Sequence, residues 1–260
     1  MISRPGDVVK HLILSLAAAA ALNIPPALAA GCSAQSPAYR IALLELYTSE
    51  GCSSCPPADQ YVSGLRGEGV TAQQAVLLSE HVDYWNYIGW KDPFSSKTFT
   101  ERQRWLSDLA GSRTIYTPEI FVGGKEQRGW PRGVVDTVKR INGLAAQADI
   151  AITLGAADAG GLPVAVTARS GREGKLFVAL VENGVASQVR AGENRGRLLR
   201  HDFVVREWLA PVSLSSGGAV VSLTLALPAG AVAGKLGIAA FVQTDKGEVL
   251  QALALPVCGG

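Results

Sequence analysis

The sequence predicts an α/β fold over residues 38–148, followed by a smaller, β-sandwich-like domain over 149–258. Two changes along the chain carry that division. From Ile41 to Ala148, short apolar runs alternate with stretches of helical period. Beyond Asp149 the helical period fades, and short apolar segments alternate with turn signals at Gly160-Gly161, Asn183-Gly184 and Gly217-Gly218. A third observation is size, since 260 residues at 48% hydrophobic content suffice for two ordinary cores.

The N-terminus reads as an export signal over residues 1–29: Arg4 and Lys10 precede an apolar run from Leu12 to Leu22, and Ala27 and Ala29 suit a signal peptidase. A membrane span needs about 20 apolar residues, and Asn23, Pro25 and Pro26 interrupt the run. The mature chain is therefore expected to be periplasmic or secreted.

Ile41 to Tyr47 is an apolar run ending in Thr48-Ser49-Glu50-Gly51, a buried strand entering a loop. Cys52 and Cys55 follow, and Pro56-Pro57 suits the first turn of a helix continuing through Leu65. A second buried strand is predicted at Ala75–His81, then an aromatic loop from Asp83 to Trp90. A helix follows over Ser96–Leu109, with Phe99, Trp105, Leu106 and Leu109 on one face. Gly123-Gly124 between two short apolar runs signals a tight hairpin, with Thr117-Pro118 just before it and a helix from Pro131 to about Ala148 after it. Beyond that, strands are expected near 150–154, 162–168, 175–181, 198–208, 219–226, 235–243 and 248–255.

With 24 basic and 22 acidic residues dispersed along the chain, the net charge of +2 supplies no face that collects phosphates, and a nucleic-acid partner is not expected. The four cysteines are even in number, in a chain bound for an oxidising compartment. If Cys52 and Cys55 pair locally, Cys32 and Cys258 remain to clip the termini together. Leu28-Ala29-Ala30-Gly31-Cys32 also has the look of a lipoprotein processing site, which would anchor Cys32 to a membrane instead.

A lone Cys-x-x-Cys serves a redox pair, half a metal site or an incidental disulfide. Its place at a strand-to-helix junction favours the first, because helix N-terminal N–H groups and the macrodipole would stabilise Cys52 as the nucleophilic thiolate, with Cys55 resolving.

Strand, loop, Cys52-Ser53-Ser54-Cys55, then Thr117-Pro118 entering the Gly123-Gly124 hairpin, resembles the thioredoxin superfamily. That resemblance implies a thioredoxin-like first domain in which Thr117 and a cis Pro118 line the substrate groove. More narrowly, Leu46 to Cys52, His81 to Tyr87, Gly89 to Phe94, Tyr116-Thr117-Pro118 and Gly192-Glu193-Asn194 resemble a secreted bacterial family of unknown function, DUF1223. The sequence departs from thioredoxin at Gly51, where an aromatic residue is usual. Its buried acid aligns with Leu46, leaving Glu45 one position away on the opposite strand face.

Glu45, His81 and Asp83 are the candidates for tuning the redox pair, with His81 and Asp83 on one face by period two. A hydrogen-bonded His81–Asp83 pair pinning the aromatic loop competes with that role. Trp85, Tyr87 and Trp90 read as packing residues rather than a substrate platform, His201-Asp202 as a surface pair, and Arg190, Arg195, Arg197 and Arg200 as a charged strand edge, with an anion or partner site as the alternative. The leading reading is an exported thiol-disulfide oxidoreductase acting on protein or small-molecule thiols and disulfides, with no cofactor or metal. The alternatives are a copper-handling protein using Cys52, Cys55 and His81, and a non-enzymatic interaction module with a structural disulfide.

Overall fold

In a computed structural model, residues 1–2, 31–214 and 218–258 are described, so the expected export signal lies outside the described residues apart from its first two positions. The chain forms a mixed α/β fold of fifteen strands in several sheets and three α-helices among the described residues.

The first half runs β1 (Cys32–Gln35), β2 (Ala42–Thr48), α1 (Pro56–Gly64), β3 (Ala75–His81), α2 (Lys97–Leu109), β4 (Glu119–Val122), β5 (Lys125–Glu126) and α3 (Val134–Asn142). β2 and β3 are parallel, and β4 runs antiparallel to β2 on its other side. Both central strands are buried along their whole length, which explains their continuous apolar runs. Leu44 and Leu46 pack with Ala58 and Val62 of α1, with Leu65 at its C-cap, and with Val134 and Val138 of α3. Leu43 of β2 packs instead with Val76, Leu78 and Phe99 of α2, while Tyr47 packs with Leu106 and Phe121. Helices therefore cover both faces. Ser96 caps α2, its side chain accepting from Thr98 N. Gly123 and Gly124 both take positive φ, 62° and 79°, as a two-residue hairpin turn requires.

The second half contributes β6 (Asp149–Leu154), β7 (Leu162–Arg169), β8 (Lys175–Glu182), β9 (Val185–Gln188), β10 (Leu198–His201), β11 (Val204–Trp208), β12 (Val212–Ser213), β13 (Gly218–Leu225), β14 (Leu236–Gln243) and β15 (Val249–Pro256). β1, β6, β7 and β13 form an antiparallel four-stranded sheet whose apolar side joins β8, β14 and β15 in one core. The larger sheet has the order β15-β14-β8-β11-β3-β2-β4-β5, with β12 beside β8. Val204 of β11 pairs in parallel with Ser79 of β3, so the expected boundary at 148/149 divides the sequence but not the sheet. That sheet curls until Gln251 of β15 accepts a hydrogen bond from Ile41 N, 2.8 Å away.

The predicted strand 198–208 is two strands. Phe203, at φ 58°, turns the chain between β10, which pairs only with β9, and β11, which joins the large sheet. The last helix of the first half begins at Val134 rather than Pro131 and ends at Asn142. Cys32, in β1, and Cys258, beyond β15, form a disulfide with Cα atoms 6.0 Å apart. Among the described residues no helix is long and apolar enough to cross a membrane.

Candidate functional site

Cys52 and Cys55 are joined as a disulfide in the loop between β2 and α1, Cα atoms 5.5 Å apart, and both side chains are buried. The helix opens at Pro56, with Cys55 as its N-cap, so Cys52 lies three residues before the cap rather than at the helix N-terminus expected to stabilise it. The consequence for the sulfur is direct. Pro56 and Pro57 have no N–H, and Ala58 N and Asp59 N both donate to Cys55 O at 2.8 and 3.1 Å. No free helix N–H remains for a Cys52 thiolate among these four. Its polar neighbours are Ser54 Oγ at 3.2 Å and the Thr117 carbonyl oxygen at 3.8 Å. Thr117 thus lies across from the Cys52 sulfur, and its bond to Pro118 is cis. Trp85 Nε1 donates to Thr117 Oγ1 at 2.7 Å and ties the aromatic loop to that position.

Behind the disulfide lies a buried group of acids and histidines, Glu50, Asp59, His81, Asp92 and His201. His81 Nδ1 pairs with Asp92 Oδ2 at 2.7 Å, and His201 Nε2 with Glu50 Oε1 at 3.2 Å. The two imidazoles meet edge to face, centroids 4.9 Å apart, with Phe94 against both. His81 Nε2, His201 Nδ1, Asp59 Oδ1 and Thr48 Oγ1 have no hydrogen-bond partner, which is uncommon for buried polar atoms. Burial alone would lower the His81 pKa, but the charge and hydrogen bond of Asp92 outweigh it and raise it. Burial would likewise raise Asp92, yet the His81 charge and backbone N–H bonds hold it below the usual range. Asp59 is raised, since desolvation exceeds the pull of the two histidines.

The second half seals this loop. Asn194 Nδ2 donates to the carbonyls of Glu50 and Cys52, each at 2.9 Å, and Glu193 Oε2 accepts from Ser53 N at 2.9 Å. Ser187 Oγ and Trp90 Nε1 complete the shell of Glu50 at 3.1 and 2.8 Å. Gly192 is required by proximity as well as by its φ of 74°, because a Cβ there would lie 2.9 Å from Ile88 Cδ1.

The remaining sequence candidates are placed elsewhere. Asp83 does not pair with His81; its Oδ1 accepts from Thr100 Oγ1 at 2.6 Å at the start of α2. Glu45 bonds Arg102 Nε and Tyr47 OH on the α2 side of the sheet, away from the loop. His201 is not a surface residue but 2% exposed, and Tyr87 is not a packing residue but 82% exposed. His81 does not join the cysteines, and among the described residues no cluster of three His, Cys, Asp or Glu side chains is arranged to hold a metal. Sequence reasoning gave no role to Asp59, Asp92 or Asn194. Asp59, one turn after Cys55 on α1, was readable as an acid on a buried helix face, and the other two lie in stretches that carry the family resemblance, Gly89 to Phe94 and Gly192-Glu193-Asn194.

A family model described as a protein of unknown function, DUF1223, matches residues 43–243. The chain belongs to that family. No curated protein matches it. Two solved structures are similar. One is a structural-genomics target from Agrobacterium tumefaciens, 26% identical, with a TM-score of 0.61 over 85% of this chain and 96% of that one. The other is HBP35 of Porphyromonas gingivalis, 15% identical, with a TM-score of 0.62 over 85% of this chain and 76% of that one, a likeness of fold alone.

Proposed function

We propose that this DUF1223 protein is an exported thiol-disulfide oxidoreductase of thioredoxin-like architecture, with Cys52 as nucleophile and Cys55 as resolving thiol. The observation that carries the reading is the Cys52–Cys55 pair at the β2–α1 junction with the Thr117 carbonyl opposite the Cys52 sulfur. The strand order β3-β2-β4-β5, with α1 and α3 on one face and α2 on the other, supports the architecture.

The chemistry follows from position. In the reduced protein the Cys52 thiolate, hydrogen-bonded by Ser54 Oγ, attacks one sulfur of a substrate disulfide; a Cys52–substrate S–S bond forms and the other substrate sulfur leaves as thiolate. Cys55, having lost its proton, then attacks Cys52, forming the intramolecular disulfide and releasing the second substrate thiol. Two electrons pass from the dithiol to the substrate, and the reverse sequence oxidises a dithiol. Cys52, whose sulfur faces the Thr117 carbonyl, is the attacking group, and Cys55, at the helix cap, is the resolving one. Asn194, Glu193 and Ser187, from the β-rich half, hold the loop in place.

The test is a redox titration of the mature protein in glutathione buffers, read by thiol labelling and mass mapping. Reversible conversion of the Cys52–Cys55 pair, with Cys52 labelled first and Cys32–Cys258 unchanged, is expected. A pair that stays oxidised until the protein unfolds would make it a structural disulfide and end the proposal.

A further inference from the structure

Beside the redox loop lies a concavity of about 470 Å³, shallow and open to solvent, lined by Ile88, Arg190, Ala191, Gly192, Glu193 and Arg195. We propose that it is a recognition site for acidic residues flanking the reactive cysteine of a polypeptide substrate, with Arg190 and Arg195 as its specificity-determining side chains. The inference rests on the oxidoreductase reading and names the substrate class for that same disulfide.

Position is the first argument. The concavity lies on the connection between β9 and β10, the segment whose Asn194 and Glu193 are bonded to Cys52 O and Ser53 N. Ile88 forms its apolar wall and also touches the redox loop, since a Cβ on Gly51 would lie 3.3 Å from Ile88 Cδ1. A substrate chain with its sulfur at Cys52 covers roughly 7 to 10 Å in two or three extended residues, enough to carry neighbouring side chains over this wall.

Charge is the second. Arg190, Arg195, Arg197 and Arg200 lie within eleven positions of one another and are exposed, and among the described residues none forms an ion pair. Arg197 is the one whose guanidinium is used internally, Nη1 donating to Asn194 Oδ1 at 2.8 Å, which braces the anchor. The acid of this segment, Glu193, turns its carboxylate onto Ser53 N, and that hydrogen bond holds its pKa below the usual value. The same interaction directs its negative charge to the loop and leaves the guanidinium groups to face an incoming chain. Shape is the third: an open trough with an apolar wall and basic rim suits an extended peptide passing through, whereas a small anion would gain little enclosure there.

The experiment uses the reduced mature protein and three synthetic peptide disulfides whose cysteines are flanked by aspartates, serines or lysines, with glutathione disulfide as a small anionic probe. Oxidation of the protein is followed by rapid quench and thiol labelling at low and high salt, in wild type and in R190S/R195S. The acidic peptide should react about tenfold faster than the serine peptide at low salt, a gain typical of modest electrostatic steering. The advantage should vanish at high salt and in the double variant, while the serine peptide's rate stays unchanged. An acidic-to-serine ratio that survives the double substitution, or an anionic preference confined to glutathione disulfide, overturns the assignment. If no disulfide reacts, the oxidoreductase reading is what fails; binding of the acidic peptide with serine in place of cysteine, present in wild type and lost in R190S/R195S, then still upholds the recognition site, and its absence overturns it.

Discussion

Two clusters of buried charge lie on opposite sides of the central strands, and they are built on different principles. On the α2 side, Arg102 donates from Nε to Glu45 Oε1 and from Nη2 to Gln243 Oε1, with Glu80 and Tyr47 close by. Its guanidinium lies 5.0 to 5.7 Å from the ring centroids of Trp105, Phe177, Trp208 and Phe241. Behind the Cys52–Cys55 loop, the cations available to Glu50, Asp59 and Asp92 are the imidazoles of His81 and His201. A guanidinium never releases its proton in a protein, and an imidazole does so near neutrality. The α2 cluster therefore has a cation that does not titrate, and burial, reinforced by the neighbouring Glu45, pushes the Glu80 pKa well up. The cluster under the disulfide has states to change between. The difference teaches which buried network is a structural rivet and which can respond to chemistry above it.

The largest effect should come from breaking the rivet. Arg102→Met removes the partner of a fully buried carboxylate and the filling of the aromatic cage in the curled sheet, and should cost about 3 to 5 kcal/mol in urea unfolding. Adding Glu45→Gln to Arg102→Met should restore part of that loss, because the stranded charge is then gone. A loss below about 1 kcal/mol for Arg102→Met, the range of an exposed pair, would mean that the cluster is not held by charge.

The histidine cluster should be distinguished by pH rather than by size of effect. With its folded pKa raised, His81 contributes stability that is complete below its unfolded pKa of about 6.5 and is lost as pH rises through the folded value. Asp92, held low, contributes stability present above its unfolded pKa of about 3.9 and lost as pH falls through its folded value. Together they favour the band between. His81→Asn should remove the His81 part of the decline on the alkaline side in melting curves taken across pH, whereas Arg102→Met should lower the curve and leave that part in place. Parallel pH profiles for the two variants would erase the distinction between the clusters.

Much of the first half was legible because its signals are local. Cys52-Ser53-Ser54-Cys55 followed by Pro56-Pro57 marks a loop and a helix start within a few residues, and Gly123-Gly124 specifies its own turn. The histidine cluster was not legible, since His201 and Glu50 lie 151 positions apart and meet only through the β9–β10 hairpin. That hairpin was itself hidden: β9 is Val185-Ala186-Ser187-Gln188, short and half-polar, and the turn at Phe203 that separates β10 from β11 has no glycine to announce it. The continuous sheet was obscured for a similar reason, because the parallel contact between Val204 and Ser79 joins strands whose apolar runs serve either a separate or a shared core equally well.

A third buried carboxylate sharpens the comparison, with the smallest expected effect. Glu119, next to Pro118, lacks both an arginine like Arg102 and a histidine; its hydrogen-bond donors are Gln103 Nε2 at 2.6 Å and Ser107 Oγ at 3.4 Å. Neutral donors do not offset desolvation, and burial pushes its pKa up to about 7. Between its unfolded pKa of about 4.3 and that folded value, the native state binds more protons than the unfolded one, so this group makes stability fall as pH rises. Glu119→Gln, which mimics the protonated acid, should leave the melting temperature unchanged at acid pH and raise it modestly above neutrality, flattening the profile across that interval. Gln103 Nε2 also donates to the Tyr116 carbonyl at 2.7 Å, so the same titration reaches the strand leading to Thr117. Thiol exchange by Glu119→Gln should accordingly vary less between mildly acidic and neutral pH than exchange by the wild type. If Glu119→Gln melts at a lower temperature than wild type above neutrality, the carboxylate is ionised and stabilised by its donors, and a buried acid here does not need a cation to carry charge.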